Sequence, residues 1–163
     1  MEDSLERGDK STLVYLWLGH IYQAQNENAK AILSYEKSDL PAAYDNLGLL
    51  YLEQGDLDKA YSNLKKSPVE LHLANYYFIA KDYGKAKAGY EAALKRNPKL
   101  LAARLNLGLL ALAEKQYEAA HTSFMSFLEE AKPDASLKTR VQSYLKLVNQ
   151  KIKLEKQRHE NKT

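Results

Sequence analysis

The chain has 163 residues, 45% hydrophobic and 28% charged, which suits one soluble domain with a sizeable core and excludes a disordered chain. Its 27 leucines and 20 alanines stand against four valines, four isoleucines and four threonines; this excess of helix formers over β-branched residues predicts an all-α fold. The net charge of +3 is uneven: residues 132–163 carry nine Lys/Arg and three Asp/Glu while residues 1–131 are slightly acidic, so nucleic acid is not expected along the whole surface.

The absence of cysteine removes disulfide frameworks, thiol nucleophiles and Cys-based metal sites, and leaves the compartment open. The longest wholly apolar stretch, Leu107 to Ala113, is seven residues, far short of the roughly 20 that span a bilayer. No membrane span is expected.

Residues 1–10 lack the long apolar run of a secretory signal. Aligned back from Thr12, Ser4 and Leu5 fall where Ser38 and Ser67 and the residues after them end a helix. This segment therefore reads as the remnant of a preceding helix or a cap, in a chain that starts inside a longer array.

Four helix pairs follow, at about residues 11–39, 40–66, 67–97 and 98–131. Their first helices contain Tyr15-Leu-Trp-Leu-Gly-His-Ile-Tyr22, Tyr44-Asp-Asn-Leu-Gly-Leu-Leu-Tyr51, Glu70-Leu-His-Leu-Ala-Asn-Tyr-Tyr77 and Arg104-Leu-Asn-Leu-Gly-Leu-Leu-Ala111. A large residue, Leu, a small residue and Tyr recur at i, i+3, i+4 and i+7, one face of a helix. The small residues are Gly19, Gly48, Ala74 and Gly108, where a second helix can approach closely. Twelve residues on come Ala31, Ala60, Ala86 and Ala120, and four further Tyr35, Leu64, Tyr90 and Phe124. The pairs start 29, 26 and 34 residues apart while these inner spacings stay constant, so the length variation falls between pairs. No pair buries its face alone, and the pairs must stack.

The links Asn26-Glu27-Asn28, Gln54-Gly55-Asp56 and Lys81-Asp82 turn the chain between helices. Ser67-Pro68-Val69-Glu70 reads as a capping box with proline at the first helical position, and Asn97-Pro98 as a second cap. Asp134 caps a last helix over about 134–156, whose stripe Leu137, Val141, Tyr144, Leu145, Val148 and Ile152 closes the stack. A basic tail, 157–163, is expected to fray.

These residues resemble the tetratricopeptide repeat, with its W-x2-L-G-x2-Y run, then alanine, an aromatic and a small residue in the second helix, then proline. Tyr44, Asn46, Leu47, Gly48, Tyr51, Gln54-Gly55-Asp56 and Ala60 match best, and Tyr83, Ala86, Tyr90, Ala93 and Pro98 carry the second half of the third pair. The resemblance covers Ser11 to Ala131. It implies an α-solenoid, a right-handed superhelix of antiparallel helix pairs with a C-terminal capping helix. Pairs one and two are five and eight residues short of the family length, which trims their second helices. Glu70 and Arg104 replace the first aromatic. Of the twelve tyrosines, Tyr15, Tyr22, Tyr35, Tyr44, Tyr51, Tyr77, Tyr83, Tyr90 and Tyr117 fall on repeat packing positions, leaving Tyr61, Tyr76 and Tyr144 outside.

Chemistry is hard to find. His20, His72, His121 and His159 lie in separate elements with no metal-ligand spacing, no phosphate loop or Gly-x-Ser-x-Gly is present, and Asp56, Asp58 and Asp82 sit at turns and helix starts, where capping and the helix dipole explain them. No enzyme activity, cofactor or metal is expected. Arg7-Gly8-Asp9 and the sequon Asn161-Lys162-Thr163 match short motifs by pattern only.

The resemblance implies a concave groove lined by Leu16, His20 and Gln23; Asp45, Leu49 and Leu52; Leu71, Asn75 and Phe78; and Leu105, Leu109 and Leu112. Asn46, His72, Asn75 and Asn106 would bond a ligand backbone. The fourth first-helix is apolar all round and needs cover on both sides. A clamp for a partner's C-terminal carboxylate is not expected, since Leu16, His20, Pro68 and His72 stand where it needs cations or amides and only Asn46 matches. The reading is a protein-binding adaptor that holds a partner peptide or helix in this groove. Two alternatives stay open: a self-associating assembly module, and an accessory segment of a larger enzyme or cell-envelope complex.

Overall fold

The computed structural model describes residues 2–131 and 133–160, with side chains from residue 11 onward. Asn161-Lys162-Thr163 and the side chains of Arg7-Gly8-Asp9 lie outside the described residues. Among the described residues there are nine helices and no strand: α1 (Glu2–Ala24), α2 (Asn28–Tyr35), α3 (Pro41–Gln54), α4 (Leu57–Leu64), α5 (Glu70–Ile79), α6 (Tyr83–Arg96), α7 (Leu101–Ala113), α8 (Tyr117–Ala131) and α9 (Ala135–Glu160). None is long and apolar enough to cross a membrane. The chain divides into two compact units, Met1–Ala80 with α1 to α5 and Lys81–Thr163 with α6 to α9. Consecutive helices pack within each unit, α1 on α2 and α3 on α4 in the first, α6 on α7, α7 on α8 and α8 on α9 in the second.

The turn chemistry repeats in register. Asn26, Gly55, Lys81 and Lys115, each seven residues after the small residue of its pair, adopt the left-handed conformation with φ of 60°, 77°, 60° and 62°. The next residue's N–H then closes back onto the preceding helix: Glu27 to the Tyr22 carbonyl at 2.8 Å, Asp56 to Tyr51 at 2.9 Å and Gln116 to Ala111 at 2.8 Å. Asp56 and Asp82 cap the following helices, accepting the N–H of Lys59 at 3.1 Å and of Lys85 at 3.2 Å. The Lys59 amide holds the Asp56 carboxyl below the usual carboxylate range, and the Lys85 ammonium does so for Asp82.

The close contacts form where the spacing places them. Ala31, Ala60, Ala86 and Ala120 are all fully buried, as are Tyr35, Leu64 and Phe124. A methyl group at Gly48 would strike Leu64, and one at Gly108 would lie 2.7 Å from the Phe124 ring. The shortened second helices α2 and α4 have eight residues each, against 14 in α6 and 15 in α8.

In the first unit lysines of the second helices, and of the links after them, lie over tyrosine rings of the first helices. Lys37 lies over Tyr15 and, 29 residues on, Lys66 over Tyr44; Lys30 over Tyr22 is repeated by Lys59 over Tyr51. Two of the three tyrosines outside the repeat pattern, Tyr61 and Tyr76, join Tyr77 in an aromatic cluster with centroids 5.3–6.2 Å apart, and Tyr144 stacks on Phe124 at 5.5 Å.

Four boundaries differ from the sequence reading. α1 runs unbroken from Glu2, so residues 2–10 continue the first helix instead of ending an earlier one; the lone Gly8 costs about 1 kcal/mol, too little to stop an established helix. α5 starts at Glu70 without a side-chain cap, because the Ser67 hydroxyl oxygen accepts the Val69 N–H, two residues on, in a turn ahead of the helix. α7 starts at Leu101, since the Asn97 side chain accepts the Lys99 N–H at 3.1 Å in a turn of its own. α9 continues through residues 157–160, carried by strong helix formers, and starts where Asp134 accepts the Leu137 N–H at 2.8 Å.

Candidate functional site

The first unit contains a cleft of about 560 Å³. One turn of α1 supplies Leu16 and His20. The entry to α3 supplies Leu40, Pro41 and Ala42 with Asp45 and Asn46, and the loop before α5 closes it with Pro68 and Val69. The walls are mostly apolar, and the polar groups are fixed in pairs. His20 and Asn46 bond across α1 and α3 at 2.9 Å. Asp45 accepts the Ser67 hydroxyl at 2.6 Å and faces the His72 ring nitrogen Nδ1 at 2.8 Å.

This last set shapes the site. The Ser67 hydroxyl oxygen also accepts the Val69 N–H at 3.0 Å, so one carboxylate on α3 holds both the loop and the first turn of α5. Proline at 68 stiffens that loop, and Val69 is left exposed on the cleft wall. The register-equivalent of Ser67 in the previous pair is Ser38, where Leu16 replaces the acid. Ser38 Oγ is buried with no hydrogen-bond partner among the described residues.

The structure brings four of the sequence-derived groove residues together around the cleft, Leu16, His20, Asp45 and Asn46, with His72 joined through Asp45. Leu16 is also a core residue, 9% exposed, packed with Ala31, Tyr35 and Leu47. Gln23 accepts the Tyr35 hydroxyl at 2.8 Å and serves the α1–α2 contact. Leu49 and Leu52 on α3 and Leu71, Asn75 and Phe78 on α5 are half-buried, Leu52 against the core.

The second unit treats its share differently. Leu105 is buried in a cluster with Phe124, Phe127, Val141 and Val148, and Leu109 and Leu112 pack against it. The cover that the all-round apolar α7 needs comes in this unit from α6 and α8, with α9 joining the same buried cluster. Asn106 bonds the buried Tyr90 hydroxyl; burial pushes the Tyr90 phenol up to about 12 and this bond partly opposes it. Arg104, in place of an aromatic, pairs with Glu130 and donates to the Pro98 carbonyl at 2.6 Å, tying α7 to α8 and to its own entry loop.

Leu40, Pro41, Ala42, Pro68 and Val69 were not legible as lining. They precede the repeated face, and their one signal is a proline at the first position of α3 and another just ahead of α5. Among the described residues no three His, Asp or Glu side chains gather to hold a metal ion.

Residues 13–39, 41–67 and 71–100 match the tetratricopeptide repeat family, together just over half of the chain. The fourth pair, α7 and α8, lies almost wholly beyond the matched residues. No curated protein matches the chain. Among solved structures it is similar to the MamA protein, with a TM-score of 0.67 and 18% identity over 94% of this chain and 96% of that one. It is also similar to PilW, a widely conserved type IV pilus biogenesis factor, with a TM-score of 0.76 and 18% identity over 92% and 76%. A tetratricopeptide repeat protein from Parabacteroides merdae gives 0.74 and 21% identity over 86% of this chain and 59% of that one. At these identities the likeness is one of fold.

Proposed function

Because the chain belongs to the tetratricopeptide repeat family, a family of protein–protein interaction scaffolds, we propose that it is a non-enzymatic adaptor that binds a partner segment in the cleft of its first unit. The observation that carries this reading is the cleft itself: apolar walls from Leu16, Leu40, Pro41 and Val69 beside a carboxylate already pinned by two partners. Such a site is preorganised. Its polar groups lose little freedom on binding, and an apolar side chain entering it supplies the affinity.

The test uses Ala42 and Val69, both exposed, so that substitutions there spare the core. A photo-crosslinking residue at either position should trap one discrete partner, and Ala42→Glu or Val69→Glu should abolish its capture while the circular dichroism melt is unchanged. Capture that survives both substitutions would remove the cleft as the binding site.

A second reading, self-association, is favoured by α1, where Leu13, Val14, Trp17 and Ile21 are 46–60% exposed on a helix that carries no charged side chain between residues 11 and 24. Light scattering over a concentration series separates the two, since the adaptor stays monomeric.

A further inference from the structure

α9 is amphipathic in an unusual sense, because its outer face is apolar as well as charged. Val141, Leu145 and Val148 are buried in the cluster shared with α8. Leu147, Lys151, Leu154 and Arg158 recur at i, i+4, i+7 and i+11 and form a separate stripe, with Leu147 41% and Leu154 50% exposed. The lower part of that stripe faces the turn between α7 and α8 across a cleft of about 450 Å³, whose opposite wall is Lys115 and Tyr117. Lys115, Lys151 and Arg158 therefore converge on one space with Glu155 as the sole acid lining it. Among the described residues none of these three cations is in an ion pair.

We propose that this cleft docks an acidic polypeptide segment that carries an apolar side chain between its carboxylates. Charge complementarity sets the sign, since three unpaired cations face one carboxylate and α9 as a whole holds seven Lys/Arg against two Glu. The apolar contact follows from Tyr117 and Leu154, one on each wall, whose surface a purely charged ligand leaves wet. Glu155 selects against a continuous phosphate chain, which presents a negative charge at every step, whereas a peptide can place an uncharged residue or a backbone N–H opposite it. Tyr117 is the one aromatic ring in the cleft, so no stacking platform for successive bases exists there. The site is separate from the cleft of the first unit and needs no partner there.

The experiment is fluorescence anisotropy on the full chain with a labelled peptide of glutamates and leucines, against its glutamine counterpart. The glutamate peptide should bind about tenfold more tightly than the glutamine one and weaken as salt rises. Lys151→Glu with Arg158→Glu should lower its affinity at least about tenfold, while Val69→Glu leaves it unchanged. Lys115→Gly relieves a left-handed backbone, so it should weaken binding several-fold while the melting temperature holds or rises, which separates lost binding from lost fold. Unchanged binding by the double charge reversal, absence of binding at low salt, or tighter binding of a single-stranded oligonucleotide or of phosphatidylserine vesicles would each overturn the proposal.

Discussion

Gly48 sits on α3 where α4 comes closest, and Gly48→Ala tests whether the repeat is held by that approach. A methyl group there would lie 2.5 Å from Leu64 Cδ2 and 3.2 Å from the Leu64 backbone nitrogen. Leu64 is fully buried and the second contact is to main chain, so rotating the side chain away cannot relieve it and the helices must part. Overpacking of this kind costs about 1–3 kcal/mol, and replacing a mid-helix glycine by alanine returns roughly 1 kcal/mol, which leaves a net loss of about 0–2 kcal/mol. Leu64→Ala alone leaves a cavity and should cost about 2–5 kcal/mol. In the double variant the new methyl enters the space that Leu64 vacates, so its loss should fall short of the sum of the singles by about 1 kcal/mol or more. Urea denaturation of the four proteins followed by far-ultraviolet circular dichroism measures this coupling. Losses that add within about 0.5 kcal/mol, or a stabilised Gly48→Ala, would refute the close-approach argument.

Gly55 has open space around it but a φ of 77°, so Gly55→Ala should cost about 1 kcal/mol through backbone strain alone, and Lys115→Gly, at φ 62°, should return a similar amount; thermal melts of the two variants should move in opposite directions. Ser67→Ala should destabilise by about 1 kcal/mol because it strips a hydrogen bond from Asp45, whereas Ser38→Ala removes an unpartnered buried hydroxyl and should be neutral or stabilising; equal losses in denaturant would contradict this. Burial holds the phenols of Tyr35, Tyr51 and Tyr90 up to about 12, against about 10 in the unfolded chain, with the bond to Glu36 adding to the effect at Tyr51. Between those values the unfolded chain releases protons that the folded chain retains, so stability is level below about pH 10 and falls as pH rises toward 12. A tyrosinate absorbance titration should show three of the twelve tyrosines ionising late, toward about pH 12; a single step near 10 for all twelve would count against it.

Much of the fold was legible because its signals are local and repeated. The spacing from Gly19, Gly48 and Gly108 to Tyr35, Leu64 and Phe124 identified the contacts that the structure contains, since a helix face is set by its period whatever lies opposite. The positive-φ residues Asn26, Gly55, Lys81 and Lys115 were harder to foresee. Only Gly55 is a residue type that favours that backbone strongly, and the others are held there by the helices on either side.

The candidate site was legible only in part. Leu16 and Leu105 have the same helical phase as Leu49 and Leu109, yet the first two are packed into cores and the second two are half-buried. His20 and Asn46 are 26 residues apart, and Asp45, Ser67 and His72 span 27, so nothing local announces that each satisfies the other. The amino-acid sequence by itself determined an all-α chain of helix pairs, the residues at each close approach and the family. Tertiary structure alone decided which first-helix leucines are core, how the polar residues of the groove pair off, and that Ser67 would donate to Asp45 across 22 residues. The physical reason is one of range: a period and a turn act over a few residues, whereas a hydrogen bond between two helices exists only once packing has brought both partners within about 3 Å.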